Sequence, residues 1–252
     1  MTYKCAAPEI FLQPSRRCAG VVLRLCVFAG CLVLCVFPAP NSWAGDVEVT
    51  VQGASNWVYR GTTETGNNPV LGVAIDWQAT KRSFVGVEAH QAEVDGVAQR
   101  HRSFLIYAGA GVALGEDWYA TGLVSHREYP GSGREWDLTE FRVQLDHTAG
   151  WTFGVDYSPD YYEHDTTSVA AEVAYRRDLN RRVYAYASVG AIEFSQSQFP
   201  DYQFGSLGAG LRLGQVVFDI SYRANTEGND SSFGMAPFSN SRFVGQVSWR
   251  LR

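Results

Sequence analysis

The stretch Val216-Val217-Phe218-Asp219-Ile220-Ser221-Tyr222-Arg223 sets the pattern for most of this chain. From Phe218 onward the side chains alternate: Phe218, Ile220 and Tyr222 are apolar, while Asp219, Ser221 and Arg223 are polar or charged. Successive side chains of a β-strand point to opposite faces, so period two means a strand with one apolar and one wet face. Helical periodicity at 3.6 is missing.

The same alternation recurs on both sides of this stretch. Phe243, Val247, Trp249 and Leu251 oppose Arg242, Gln246, Ser248 and Arg250. Trp151, Phe153, Val155 and Tyr157 oppose Thr152, Asp156 and Ser158, and Phe141, Val143 and Leu145 oppose Glu140, Arg142, Gln144 and Asp146. Val47, Val49 and Val51 oppose Glu48, Thr50 and Gln52, and Leu71, Val73, Ile75 and Trp77 oppose Gly72, Ala74 and Asp76. Segments at 83–92, 102–114, 117–128, 168–177, 182–194 and 202–213 are richer in Gly and Ala but keep the period. That makes twelve segments of roughly ten residues, the length of a tilted membrane strand. Their connections alternate between long (61–69, 93–101, 129–138, 159–167, 195–201, 225–240) and short (79–82, 115–116, 148–150, 178–181 and the turn at Gly214). Tight periplasmic turns and long outer loops mark outer-membrane barrels, whereas a soluble sandwich has no reason to keep that order. The expected fold is all-β: a transmembrane antiparallel up-and-down barrel of about 12 strands.

Residues 1–44 read as a leader and 45–252 as the barrel domain. Lys4, Arg16 and Arg17 precede an apolar run at 25–37, Pro38 and Pro40 break it, and Ser42-Trp43-Ala44 offers small residues before a cut. This is the order of a cleaved secretory signal. All five cysteines (Cys5, Cys18, Cys26, Cys31, Cys35) lie inside it, so the exported part has no disulfides or thiolate sites. The whole chain carries 21 Lys/Arg and 26 Asp/Glu. Four bases and one acid fall in the leader, leaving 17 and 25, a net charge of −8. So acidic a barrel is a poor partner for nucleic acid. Its expected partners are outer-membrane lipid, the barrel-assembly machinery during insertion, and small solutes. All its bases but Lys81 are arginines, which suit fixed hydrogen-bonded networks.

Charges well inside strands place the wet face in a lumen. The lumen and rim candidates are Arg60, Asp76, Glu88, His90, Glu140, Arg142, Asp146, Glu172, Arg176, Arg212, Asp219, Arg223 and Arg250. Aromatic residues gather near strand ends and are expected to form two interfacial girdles. Trp77, Trp118, Trp151 and Trp249 would lie by the short turns, with Phe84, Tyr175 and Tyr184 near them; Tyr59 and Tyr157 would lie at the other end, near Tyr129, Trp136, Phe194 and Tyr202. The last aromatic, Trp249, stands three places before the final Arg252.

Chemistry-bearing motifs are sparse. The five histidines (His90, His101, His126, His147, His164) show no metal-ligand spacing. Gly131-Ser132-Gly133 is a set of turn formers rather than a nucleophile elbow. The oxygen-rich 225–231 lacks EF-hand spacing. No cofactor, metal or catalytic residue is expected.

The segment Ser55-Asn56-Trp57-Val58-Tyr59-Arg60-Gly61-Thr62-Thr63-Glu64-Thr65 resembles the signature of the proteobacterial Gcw family of exported proteins, the TorF-type porins. The likeness continues through Asn68-Pro69-Val70-Leu71-Gly72-Val73-Ala74-Ile75-Asp76-Trp77, Ser83-Phe84-Val85-Gly86-Val87, Tyr157-Ser158-Pro159-Asp160-Tyr161-Tyr162 and Phe218-Asp219-Ile220-Ser221-Tyr222. Thr62-Thr63-Glu64 departs from the family's Ile/Val-Ser-Gln, and Glu88-Ala89-His90 replaces smaller residues. The resemblance implies an outer-membrane barrel with a porin role and leaves the solute open. Physically, Arg60 is expected to end the first strand at the outer rim on the lumen side, as a structural clamp first and a solute contact second. The expected function is passive diffusion of small polar or charged solutes. The alternatives are a non-conducting ligand-binding or structural barrel and, third, a lipid-acting barrel enzyme.

Overall fold

A computed structural model describes residues 45–93, 100–130, 137–196, 199–226 and 241–251. The leader, Trp136, the Gly131-Ser132-Gly133 turn formers and most of 225–231 lie outside the described residues, as does the side chain of His101.

The strands are β1 (Asp46–Ala54), β2 (Val58–Tyr59), β3 (Thr62–Thr63), β4 (Val70–Gln78), β5 (Ser83–Glu93), β6 (Arg100–Leu114) and β7 (Trp118–Glu128). There follow β8 (Leu138–His147), β9 (Trp151–Ser158), β10 (Ser168–Asp178), β11 (Val183–Phe194), β12 (Tyr202–Leu213), β13 (Val216–Asn225) and β14 (Ser241–Leu251). Twelve of them, all but β2 and β3, close into one antiparallel barrel. Closure is made by β1, which pairs with β4 (Val51↔Val73) and with β14 (Val51↔Trp249). Every other barrel strand pairs with its neighbours in chain order, so the barrel has no free edge. At the short turns Gly115, Gly150 and Gly214 take positive φ, the conformation glycine adopts without strain.

The apolar face of each strand points outward. Leu71 is 69% exposed, Val143 63%, Leu207 64% and Phe243 73%. A band so apolar is stable only against lipid. Replacing Val143 by Arg, midway along β8, is therefore expected to cost about 2–4 kcal/mol, read from the urea midpoint of protein refolded in lipid. An unchanged midpoint would place this face in water.

The girdle expectation needs correction. Trp118, Trp151 and Trp249 do stand exposed on the outer surface near the short turns, with Trp77 half-buried on the same face, and Tyr157 is exposed toward the long loops. Tyr59, however, is buried inside the barrel, because residues 55–69 leave the wall after Ala54 and turn inward. Phe84, Tyr129, Tyr184 and Tyr202 also pack inside. Strand phase, rather than nearness to a strand end, decides which way an aromatic ring points. On β11 the inward Tyr184 and Tyr186 lie opposite Gly210 and Gly208 of β12, and a Cβ at either glycine would strike the ring. Glycine here makes room for a lumen wall of tyrosine.

Candidate functional site

The long-loop half of the barrel is filled by its own first loop. Residues 58–63 form a two-stranded hairpin, pairing Val58 with Thr63 and Tyr59 with Thr62. Its tip, Arg60-Gly61, has φ of 43° and 80°, the double positive-φ tight turn that favours glycine at its second place. The base is tied by Asn56, whose Oδ1 accepts from the hydroxyls of Thr63 and Thr65. The Trp57 amide in turn donates to Thr65 Oγ1 at 3.1 Å. Short polar side chains thus satisfy the backbone of a segment that no barrel strand covers.

Arg60 is not the end of the first strand at the rim. It sits inside the barrel at the hairpin tip, where Nη1 lies 2.9 Å from Glu140 Oε1 on β8 and Nη2 lies 3.0 Å from Asp156 Oδ2 on β9. Arg142 holds the same Asp156 oxygen at 3.1 Å. The Tyr59 hydroxyl donates to Glu140 Oε2 at 3.1 Å, and its ring lies 4.4 Å from the Arg60 guanidinium. Burial by itself would lower the Arg60 pKa; Glu140, Tyr59 and Asp156 outweigh it and hold the group above the ordinary arginine value.

A second anchor lies beside the first along the wall, on β5 to β7. Glu64 of the hairpin meets His90 Nε2 at 3.1 Å and Arg127 Nη1 at 3.4 Å. The Tyr129 hydroxyl donates to Glu64 at 3.2 Å. Glu88 faces His90 Nδ1 at 3.1 Å and Arg127 Nη2 at 3.5 Å, while Arg127 also donates to Ser103. The Trp57 indole stacks on the His90 ring at 4.3 Å. A third set of ties is polar: Arg223 donates to the Val58 carbonyl at 2.9 Å, Asn225 to Thr62 Oγ1, and Arg242 to Asn67 Oδ1 at 2.7 Å. Arg60, Glu140, Asp156 and Arg127 are all nearly inaccessible, and each has an opposite charge beside it.

Beside the hairpin, loop residues Tyr161 and Tyr162 also turn inward. They pack with Tyr129, Leu138, Ala170, Ile192, Tyr202 and Phe204 into an apolar cluster whose Leu138 and Ile192 are fully buried. The short-turn half differs. Side chains of Arg250, Arg212 and Arg176 are 29%, 30% and 37% exposed there, against 1% for Arg127 above them. A wet vestibule therefore opens at the short turns and narrows toward the hairpin.

Every lumen candidate read from strand phase lies on the inward face. Besides the residues above, Asp76 accepts from the Tyr107 hydroxyl, Asp146 from Gln144 and Thr152, and Asp219 from Tyr184 and Tyr186. Arg212 pairs with Asp178 at 2.9 Å, Arg176 stacks over the Tyr184 ring at 3.8 Å, and Arg250 lies 3.7 Å from Glu48. Glu172 faces Gly154 and Gly190 on the flanking strands. The sequence reading missed Glu64, Arg127 and Asp156 as site residues. For Arg127 a signal existed: it shares phase with Thr121, Leu123 and Ser125, the inward side of β7. On the outer surface, donor atoms of His126, Glu128 and Asp137 lie within 4.8 Å of one another, the one group of side chains among the described residues that could hold a metal ion.

Gly61 is where the hairpin is most easily disturbed. A Cβ there would lie 2.6 Å from Asn225 Cβ and 2.7 Å from the Ala224 carbonyl oxygen, at a φ that side chains disfavour. Gly61→Val is expected to unseat the hairpin at a cost of about 1–3 kcal/mol, visible as faster proteolysis within 55–69 while the barrel stays folded.

The barrel is similar to the KdgM porin, at 8% identity and a TM-score of 0.54, covering 81% of this chain and 99% of that one. It is also similar to an outer membrane channel from Pseudomonas putida F1, at 10% identity and a TM-score of 0.50, covering 85% and 99%. The fold is that of an outer-membrane β-barrel. At these identities the likeness concerns architecture alone. No family model matches the chain, and no curated relative does.

Proposed function

We propose that this protein is a porin-type channel of the outer membrane, passing small polar or charged solutes by passive diffusion along a lumen that the 55–69 hairpin narrows. The observation that carries this reading is the partly exposed, charged short-turn end of the interior, inside a closed barrel whose outside is apolar. Side chains that line the interior with both signs of charge suit a path for water and solutes. In this reading the leader is removed after Ala44, and the barrel-assembly machinery inserts the remainder. Membership of the Gcw family of TorF-type porins belongs to the same proposal; its support is that the signature segment Ser55–Thr65 builds the inward hairpin.

A second reading, a barrel that binds or stabilises without conducting, draws support from the packed long-loop half, where Leu138 and Ile192 have no exposure. Planar-bilayer recording of the refolded mature chain separates the two. Discrete current steps proportional to salt concentration are expected of the channel. A barrel that migrates as folded on an unheated denaturing gel yet passes no current would overturn it.

A further inference from the structure

The seat of Arg60 has the form of a receptor for a cation. Glu140 and Asp156 stand on adjacent strands, with side chains 1% and 3% exposed, and one guanidinium fork bridges them through separate nitrogens. Arg142 supplies one compensating charge at Asp156. Without Arg60, two buried carboxylates would stand on adjacent strands with Arg142 beside one of them, a crowding that a cation relieves. Their two separated acceptors favour a planar fork over a point charge. The tethered occupant fits imperfectly. Arg60 Nη2 lies close to Asp156 but forms no aligned hydrogen bond, and the buried Ser125 hydroxyl, directly across from Glu140, has no hydrogen-bond partner among the described residues. An untethered guanidinium could align more freely.

The vestibule leading to this seat carries carboxylates as well as its arginines. Asp76 and Asp146 are held by neutral donors, a tyrosine hydroxyl for the first and an amide with a threonine hydroxyl for the second. Glu172 is flanked by glycine on both neighbouring strands. These three stand on β4, β8 and β10, spread around the wall, and carboxylates so placed draw cations into a pore. We propose that the Glu140–Asp156 pair is a binding site for guanidinium-bearing organic cations, that Arg60 occupies it as an internal substitute, and that such cations are among the solutes this barrel admits. The transport part rests on the channel reading; the binding part does not.

Two measurements on the refolded Arg60→Ala barrel test this. Calorimetric titration with millimolar guanidinium chloride, far below denaturing concentrations, is expected to show saturable one-site binding that sodium chloride does not reproduce. Adding Glu140→Gln is expected to weaken it about tenfold or more. In planar bilayers the same guanidinium is expected to reduce the Arg60→Ala current by half or more. Arg60→Gln serves both measurements if Arg60→Ala does not assemble. No saturable binding, or binding indifferent to Glu140→Gln, would overturn the proposal. Binding in a barrel that never conducts would overturn the channel reading and leave the site standing.

Discussion

Replacing residues 56–65 by a short glycine–serine linker is expected to raise single-channel conductance several-fold. The barrel should tolerate the change, because the wall does not include this segment: Ala54 of β1 already pairs with Val70 of β4, so a few residues suffice to join them. What is lost is the hairpin and its three sets of ties, to Glu140 and Asp156, to His90 and Arg127, and to Arg223. The wall groups left behind would face water rather than a dry contact, which lowers the cost of losing their partners. Current steps of unchanged size, in a barrel that still shows heat-modifiable migration, would mean that the hairpin does not limit flow.

The largest loss of stability is expected from Arg127→Ala. Arg127 reaches Glu64, Glu88, His90 and Ser103 from a side chain 1% exposed. Its removal leaves two carboxylates around one imidazole in a place closed to water. Breaking a buried ion pair from one side costs about 3–5 kcal/mol, and a loss of that size is expected in the urea midpoint of protein refolded in lipid. Arg250→Ala provides the contrast, since Arg250 is partly exposed and only 3.7 Å from Glu48. Its loss should cost under about 1 kcal/mol. Equal effects at the two positions would contradict the placement of the dry half and the wet half of the lumen.

The wall of the barrel was legible in the sequence because each strand carries its own evidence. Alternation at Val216–Arg223 or Trp151–Ser158 is local, and the turns at Gly115 and Gly214 announce themselves by residue type. Inwardness of Asp76, Glu140, Arg142 and Asp219 followed from the same phase. The hairpin was not legible as an inward element. Val58-Tyr59-Arg60 continues the β-favouring composition of the first strand, so Arg60 read as its end at the rim. The inward turn becomes favourable only through contacts with Glu140, Asp156, His90 and Arg127, which lie 26 to 96 positions away. Long-range charge pairing leaves no local trace. Tyr59 was misplaced for the same reason, since a tyrosine near a strand end has the same composition whether its ring meets headgroups or Glu140.

One measurement tests the continuous path most directly. Glu172→Cys, in protein refolded from residues 45–252, places a single thiol on the inward face of β10 in a stretch that otherwise has none. A charged, membrane-impermeant thiol reagent is then added only on the long-loop side of a planar bilayer, and its reaction is read as a stepwise change in current. The predicted result is slow modification with the hairpin in place and modification at least several-fold faster when 56–65 are replaced by the linker. Equal rates in the two proteins, or no modification in either, would contradict a lumen path governed by the hairpin.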